Sequence, residues 1–239
     1  MIRFDFKGKK ILVTGGSRGI GHAIADAFAE AGAHVHITGT QAQASSYEAD
    51  LSRFVYHQAR LDDRCHRHAL AESIPELDIL VNNAAQARDD EYEYEGFAST
   101  VDVNLNAAAE LCYAFHPTLA ERRGVIVNVG SSASFISLKH VPAYTASKAG
   151  LLGLTRALAD QWAAEGVRVN MVAPGFVDTQ IIDWAKQRPD GGAAVLKTVP
   201  ARRWGKPSEV AVAVLFLACE NASYITGQSL IIDGGLMLR

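Results

Sequence analysis

Short runs of apolar, β-branched residues alternate with longer helical segments along most of this chain, and this alternation most constrains its fold. The short runs cover residues 11–14, 34–38, 54–57, 78–82, 125–129, 167–172 and 229–233. Helical periodicity is found over residues 20–31, 101–121, 144–164 and 208–218. Because the short runs show little polar alternation, they are typical of parallel strands buried on both faces. The pattern predicts an α/β, doubly wound, Rossmann-like sheet of about seven strands with helices on both faces.

Size and charge favour small-molecule chemistry. A chain of 239 residues can bury a sizeable core, and we expect a single domain over 1–239. The net charge of -3 gives no basic surface for nucleic acid, and apolar runs are too short to span a membrane. Cys65, Cys112 and Cys219 are too few and scattered for a disulfide framework. We therefore expect a cytoplasmic protein with neither nucleic-acid nor membrane partners.

A glycine-rich segment, TGGSRGIG at 14–21, links the first predicted strand to the first predicted helix. Gly15, Gly19 and Gly21 stand where the backbone must turn tightly and approach a ligand closely. The N–H groups and dipole of a helix N-terminus suit a pyrophosphate. In this βαβ context the segment predicts a dinucleotide site, although a purely structural turn would use the same residues.

Tyr144 and Lys148 are four residues apart on a predicted helix, so their side chains share one face. A neighbouring ammonium favours the phenolate and lowers the pKa of the phenol from its usual value of about 10. A phenol tuned in this way can exchange a proton with a substrate. Such a pair also occurs on solvated helix faces, and the surrounding motifs favour the catalytic interpretation.

Taken together, the motifs resemble those of the short-chain dehydrogenase/reductase family, and in particular its 3-oxoacyl-carrier-protein reductase-like members. The resemblance runs from about Lys9 to the C-terminus. It is carried by TGGSRGIG, NNAA at 82–85, Asn104 in DVNLN, Ser131 in NVGSS, Tyr144 and Lys148 in YTASK, PGFVDT at 174–179 and DGG at 233–235. The chain departs from the family at Ala85, where glycine is usual, and in shortened segments at 62–77 and 88–104.

The resemblance implies an NAD(P)-dependent oxidoreductase that transfers a hydride between nicotinamide and a carbonyl or secondary alcohol. Tyr144 would act as the general acid/base and Ser131, preferred over Ser132, would hold the substrate oxygen. Lys148 would lower the pKa of Tyr144 and bind the nicotinamide ribose, while Asn104 would hold a water that connects Lys148 to solvent. A non-catalytic dinucleotide sensor and a non-redox lyase or dehalogenase are the alternatives.

The same resemblance implies a set of cofactor-binding residues. Besides Tyr144 and Lys148, these are Gly15, Ser17, Arg18, Gly19, Ile20, Gly21, Thr40, Asp62, Asn83, Ala84, Pro174, Gly175, Val177 and Thr179. Three of them have structural alternatives. Asp62 would contact the adenine or cap the next helix, Asn83 would line the cleft or close a strand-end turn, and Thr179 would hold the carboxamide or cap a helix.

The end of the second predicted strand favours NADP(H) over NAD(H). An acid there would bind the ribose 2′-hydroxyl and repel a 2′-phosphate, but the chain has Gly39 and Thr40. Arg18 in the glycine segment offers a positive charge for that phosphate, unless it is merely a solvated surface residue.

Substrate and assembly are less constrained by the sequence. A substrate lid is expected over about 180–204. The acidic run at Asp89, Asp90, Glu91, Glu93 and Glu95 is either a solvated face or a pocket mouth that repels anions. Arg122 matches a basic docking position of acyl-carrier reductases, but Glu165 stands where a second base is expected.

We therefore favour a neutral ketone, alcohol or polyol, with a 3-oxoacyl thioester as the alternative. The predicted helices 101–122 and 144–164 resemble the family's subunit-packing pair, which implies a homotetramer or else a dimer. We expect no metal site, because Cys65, His66 and His68 have no distant partner at ligand spacing.

Overall fold

A computed structural model describes residues 4–187 and 189–238, and its framework is a parallel sheet of seven strands. The strands are β1 Lys10–Val13, β2 His34–Gly39, β3 Val55–Gln58, β4 Ile79–Asn82, β5 Val125–Val129, β6 Arg168–Pro174 and β7 Ser229–Ile232. Their spatial order is β3-β2-β1-β4-β5-β6-β7, with all neighbours parallel. The predicted doubly wound α/β fold is confirmed.

Helices cover both faces of the sheet. They are α1 Gly19–Glu30, α2 Arg64–Ser73, α3 Tyr94–Val101, α4 Ala107–Arg122, α5 Pro142–Trp162, α6 Asp183–Lys186, α7 Ala193–Leu196 and α8 Pro207–Ala218. Alternate side chains of β1 point to opposite faces. Ile11 and Val13 pack in one apolar cluster with Phe28 of α1. Leu12 packs in the other cluster with Phe115 of α4. Within the described residues, each helix is too short or too polar to cross a bilayer.

The helix predicted over 101–121 differs from the observed one. Helical structure starts at Tyr94, and a π-helical segment, Asp102–Asn106, lies between α3 and α4. A π segment widens the turn and shifts the phase of the apolar residues, so a single helical period fails to join α3 to α4. The widened turn contains Asn104, whose residue surface is only 2% exposed.

The direction of strand addition reverses at β1. The chain proceeds from β1 outward to β2 and β3, then places β4 on the other side of β1. In doubly wound sheets, ligands bind beyond the carboxyl ends of the strands at such a switch point. The glycine segment, NNAA, Ser131 and PGFVDT all follow strands that end at this edge.

Candidate active site

The glycine segment is fastened to the end of β4 by polar contacts. The hydroxyl of Thr14 accepts hydrogen bonds from the backbone N–H groups of Asn83 at 3.0 Å and Ala84 at 3.1 Å. The side chain of Asn83 donates in turn to the carbonyls of Thr14 at 2.8 Å and Gly15 at 3.2 Å. Asn83 therefore serves as a strand-end brace, and this contact shapes the wall of the predicted cofactor cleft.

The N-terminus of α1 is open to a ligand. Arg18 occupies the N-cap position but its side chain makes no cap hydrogen bond, so the first N–H groups of the helix are left for other acceptors. A Cβ added at Gly21 would lie 2.3 Å from the carbonyl oxygen of Gly15, and Gly15 and Gly19 have positive φ values of 64° and 58°. This uncapped, glycine-lined turn fits a pyrophosphate.

Ser131, Tyr144 and Lys148 are brought together beyond the end of β5. The side chain of Ser131 acts on the Tyr144 phenol and lowers its pKa. The ammonium nitrogen of Lys148 lies 5.7 Å from the centroid of the Tyr144 ring. Adjacent Ser132 is buried, and it starts a short 3-10 turn for which Ser131 is the N-cap. The hydroxyl of Ser131, the phenol of Tyr144 and the ammonium of Lys148 therefore lie close to one another.

Lys148 is a buried cation held by the sheet. The residue is 2% exposed, and its ammonium donates to the carbonyl of Val129, the last residue of β5, at 2.7 Å. Burial lowers the pKa of Lys148 to about 8, because desolvation disfavours the charged form. Lys148 is therefore mostly protonated at neutral pH.

The pKa of Tyr144 lies above its ordinary value. Lys148 is not among the causes of this shift, so the expectation that its ammonium lowers the pKa of the phenol stays a prediction. Desolvation is the largest cause and raises it, the Ser131 hydrogen bond lowers it, and the charge of Glu91 raises it further. Sequence spacing brings Lys148 near Tyr144 but does not report how much water the fold removes from the phenol.

Asn104 links three elements behind the site. Its amide oxygen accepts from the N–H of Gln86 at 2.8 Å. Its amide nitrogen donates to the carbonyl of Gln86 at 2.8 Å and to the hydroxyl of Ser147 at 3.1 Å. Ser147 directly precedes Lys148, so Asn104 ties the π segment to the part of α5 that carries the ammonium.

The segment after β6 lies beside the glycine turn. Pro174 ends β6, and the N–H of Gly175 donates to Ile232 of β7 at 2.9 Å. Val177 forms an isolated parallel bridge with Gly205, which ties the two ends of the expected lid together. A Cβ added at Gly19 would lie 3.4 Å from the methyl of Thr179. Residue 188 of the expected lid lies outside the described residues.

Comparison with known proteins decides the family. Residues 15–237 match the family model described as Enoyl-(Acyl carrier protein) reductase. The chain is 39% identical over 247 residues to 3-oxoacyl-(acyl-carrier-protein) reductase FabG of Chlamydia muridarum, covering 95% of this chain and 97% of that one. The chain belongs to the short-chain dehydrogenase/reductase family.

Two further relatives agree with this placement. The 2-dehydro-3-deoxy-D-gluconate 5-dehydrogenase of Bacillus subtilis is 37% identical over 255 residues, covering 99% of this chain and 97% of its own. The solved RhlG/NADP active-site complex of Pseudomonas aeruginosa superposes with a TM-score of 0.88 at 31% identity, covering 99% of both chains.

The structure resolves the helix-capping alternatives for Asp62 and Thr179 in this short-chain dehydrogenase/reductase. Asp62 forms a paired contact with Arg60, at 3.2 and 2.8 Å. The helix-capping alternative for Asp62 is wrong by one residue, since Asp63 is the N-cap of α2 and accepts from the N–H of Cys65 at 2.8 Å. Thr179 is the N-cap of a 3-10 turn, but its side chain makes no cap bond.

Arg18 has a side-chain partner in the expected lid. Its guanidinium donates to the side chain of Gln180 at 2.8 Å, so it connects the glycine segment to the start of that lid. At the end of β2, the hydroxyl of Tyr47 accepts from the N–H groups of Thr40 at 2.8 Å and Gln41 at 3.0 Å.

Sequence reasoning missed two residues of the site, Tyr47 and Glu91. Tyr47 carries no motif signal, and its position depends on how the chain folds back after β2. Glu91 belongs to an acidic run in which Asp89, Asp90, Glu93 and Glu95 are exposed, as a solvated face would be. Glu91 alone is buried, with 1% of its surface exposed, and nothing in the run distinguishes it from its neighbours.

The candidate metal ligands of the sequence, Cys65, His66 and His68, lie in the first turns of α2. Across the described ranges, His, Cys, Asp and Glu residues form no group of three or more that could hold a metal ion. In the Cys65 to His68 stretch, the ring of His66 accepts from the N–H of Arg60 at 3.0 Å.

We predict that Gly21→Ala weakens dinucleotide binding at least roughly tenfold, because the new methyl displaces the turn and misplaces N–H donors worth about 1.5–3 kcal/mol each toward an anion. Fluorescence titration with NADPH measures the affinity. Gly153→Ala is the matched control, since a Cβ at Gly153 has nothing within 4 Å and improves a helix. Equal affinity in the two variants would show that the turn does not hold the cofactor.

Proposed function

We propose that this chain transfers a hydride reversibly between a nicotinamide dinucleotide and a carbonyl or secondary alcohol, with Tyr144 as the general acid/base. The observation that carries this proposal is the meeting of Ser131, Tyr144 and Lys148 beyond β5, on the sheet edge that also carries the uncapped turn of α1. Family membership and the NADP complex of a relative support it.

In the reducing direction, the phenol of Tyr144 gives its proton to the carbonyl oxygen, which becomes the alcohol hydroxyl. The hydroxyl of Ser131 donates a hydrogen bond to the same oxygen as negative charge develops on it. The ammonium of Lys148 stabilises the phenolate left behind. Nicotinamide, when bound, supplies the hydride that adds to the carbonyl carbon. Oxidation reverses these transfers, with the phenolate of Tyr144 removing the alcohol proton.

The raised pKa of Tyr144 sets a direction for pH dependence. Because desolvation keeps the phenol protonated at neutral pH, the chain is prepared to donate a proton to a carbonyl. Alcohol oxidation needs the phenolate, whose fraction grows as pH rises toward the pKa of Tyr144. Oxidation is therefore expected to accelerate with increasing pH, and reduction to slow once the phenol is lost.

A neutral ketone, alcohol or polyol is the substrate class we favour. Acyl-carrier docking would require free basic residues, but Arg122 contacts Asp78 at 3.0 Å and Glu76 at 3.5 Å. These two carboxylates precede β4, at the edge of the sheet opposite the reacting groups. The 39% identity with the Chlamydia muridarum reductase is the observation that supports the alternative class, a 3-oxoacyl thioester.

NADP(H) is the cofactor form we favour, since Gly39, Thr40 and Gln41 place no carboxylate at the end of β2. The contacts of Tyr47 at the end of β2 place a condition on how a 2′-phosphate binds there. A 2′-phosphate that uses the N–H groups of Thr40 and Gln41 must first displace the hydroxyl of Tyr47. Desolvation raises the pKa of this phenol, but hydrogen bonds from Gln41, Ser17, Tyr56 and Thr40 outweigh it and bring the pKa down to about 8.

We also propose a homotetramer in the cytoplasm. Apolar side chains are exposed on two separate faces, with Tyr113 on α4 and Val212, Phe216, Leu230 and Ile231 on α8 and β7. A dihedral tetramer needs two distinct interfaces, which these faces would supply, whereas a dimer needs one. All three cysteines are free, as is usual in a reducing compartment.

We predict that Tyr144→Phe lowers kcat by roughly 10²- to 10⁴-fold, because the ring keeps its place but has no proton to give. The assay follows nicotinamide absorbance with a panel of ketones, secondary alcohols, polyols and acetoacetyl-CoA, and NADPH affinity should stay close to that of the parent chain. Tyr224→Phe, at a fully exposed phenol, is the control and should retain turnover. Retention of most activity by Tyr144→Phe would refute the acid/base role, and a preference for acetoacetyl-CoA would reverse the substrate class.

We predict that NADPH has a higher kcat/KM than NADH, and that Tyr47→Phe raises this ratio about tenfold by freeing two N–H donors for a charged acceptor. Tyr94→Phe is the matched control, because it removes the same hydroxyl from an exposed phenol on α3, a helix that does not pack against β2. A clear NADH preference in the parent chain would overturn the cofactor assignment, and equal ratios in both variants would remove Tyr47 from it.

A further inference from the structure

Glu91 is a buried carboxylate that lies against the helix carrying Tyr144. One of its oxygens accepts from the backbone N–H of Tyr144 at 2.9 Å. The other accepts from the N–H of Arg88 at 3.0 Å and from the hydroxyl of Thr100 at 3.4 Å. Within the described ranges Glu91 has no cationic partner, since the guanidinium of Arg88 pairs with Asp90 at 2.7 Å.

The first turn of α5 depends on this carboxylate. The helix opens with Pro142, which has no N–H, and Val141 at the N-cap has no side-chain acceptor to offer. Glu91 therefore caps the helix from another loop, by accepting from Tyr144. The positive end of the dipole of this 21-residue helix in turn stabilises the buried negative charge.

The loop that carries Glu91 is held on both sides. The hydroxyl of Tyr92 donates to the carbonyl of Lys139, in the segment before α5, at 2.7 Å. A Cβ added at Gly96 in α3 would lie 2.2 Å from the carbonyl oxygen of Asp90, so α3 packs directly on the loop. Glu91 thus keeps a fixed position relative to α5.

We propose that Glu91 is a positioning residue for the reaction: its carboxylate fixes the turn that carries Tyr144 and places a buried negative charge at the start of that helix. The proposal rests on the proposed acid/base role of Tyr144. Glu91 thereby differs in role from the other acidic residues of the run, which are exposed to solvent.

Desolvation and three side chains act on the phenol of Tyr144. Desolvation raises the pKa of Tyr144, the hydrogen bond from Ser131 lowers it, and the negative charge of Glu91 raises it. The ammonium of Lys148 faces the ring from the next turn of α5. Replacing Glu91 by glutamine removes the charge and leaves a carbonyl oxygen for the Tyr144 N–H, at the expense of the acceptor for the Arg88 N–H. The pKa of Tyr144 should therefore fall while the cap of α5 persists.

The test is an ultraviolet titration of phenolate in the cofactor-free protein, in which subtraction of a matching Tyr144→Phe spectrum isolates Tyr144. We expect Glu91→Gln to lower the midpoint by about 0.5–1 pH unit, on the order of a 3- to 10-fold increase in phenolate at fixed pH. The pH profile of alcohol oxidation should move to lower pH by the same amount. Because the titration needs no turnover, it distinguishes failure of this inference from failure of the proposed function.

Glu95→Gln is the matched control, because it removes an exposed carboxylate of the same run and should leave both midpoints unchanged. Glu91→Asp keeps the charge but withdraws the oxygen from the Tyr144 N–H, so the unfolding temperature should fall with little movement of the midpoint. A Glu91→Gln midpoint equal to that of Glu95→Gln would overturn the proposal. If Glu91→Gln fails to fold, the midpoint of Glu91→Asp decides. Since Glu91→Asp keeps the charge, a midpoint lowered by about 0.5–1 pH unit in this variant would also overturn the proposal.

Discussion

A lysine ammonium buried at the end of β5 is the constraint on which the rest of the site depends. A charge taken out of water is costly unless it is hydrogen-bonded. Lys148 meets this requirement because its ammonium donates to the carbonyl of Val129 at 2.7 Å. A second bond reaches the backbone of the same residue: the hydroxyl of Ser134 donates to the Lys148 carbonyl at 2.8 Å. These two bonds fix α5 against the end of β5, and this fixes where Tyr144 stands.

Polar contacts, as well as apolar packing, determine the position of α5. Asn104 holds Ser147 from the π segment, and Glu91 holds the N–H of Tyr144 from the loop after β4. Each contact joins α5 to an element that follows β4, the strand beside the switch point of the sheet. The glycine turn and the reacting groups are therefore both held by segments that follow β4, which explains why loops far apart in sequence lie together.

The sequence predicted what depends on short-range pattern and missed what depends on the final environment of a side chain. Apolar runs indicate buried parallel strands, and the spacing of the glycines indicates the turn after β1. The sheet and its switch point were therefore predictable. The burial of Glu91 was not, because its exposed neighbours are chemically alike. The same holds for the raised pKa of Tyr144, for the cap at Asp63 instead of Asp62, and for Tyr47, whose contacts exist only after the chain folds back on β2.

The most direct test of this picture is the pKa of Lys148 itself, since burial of that ammonium underlies the geometry of the site. Nuclear magnetic resonance of isotope-labelled lysine side chains follows each ammonium through a pH titration, and Lys148→Arg assigns the resonance by its loss. We expect Lys148 to titrate at about 8. A Lys148 that titrates near the ordinary lysine value of about 10.4 would contradict the buried cation on which the site is built.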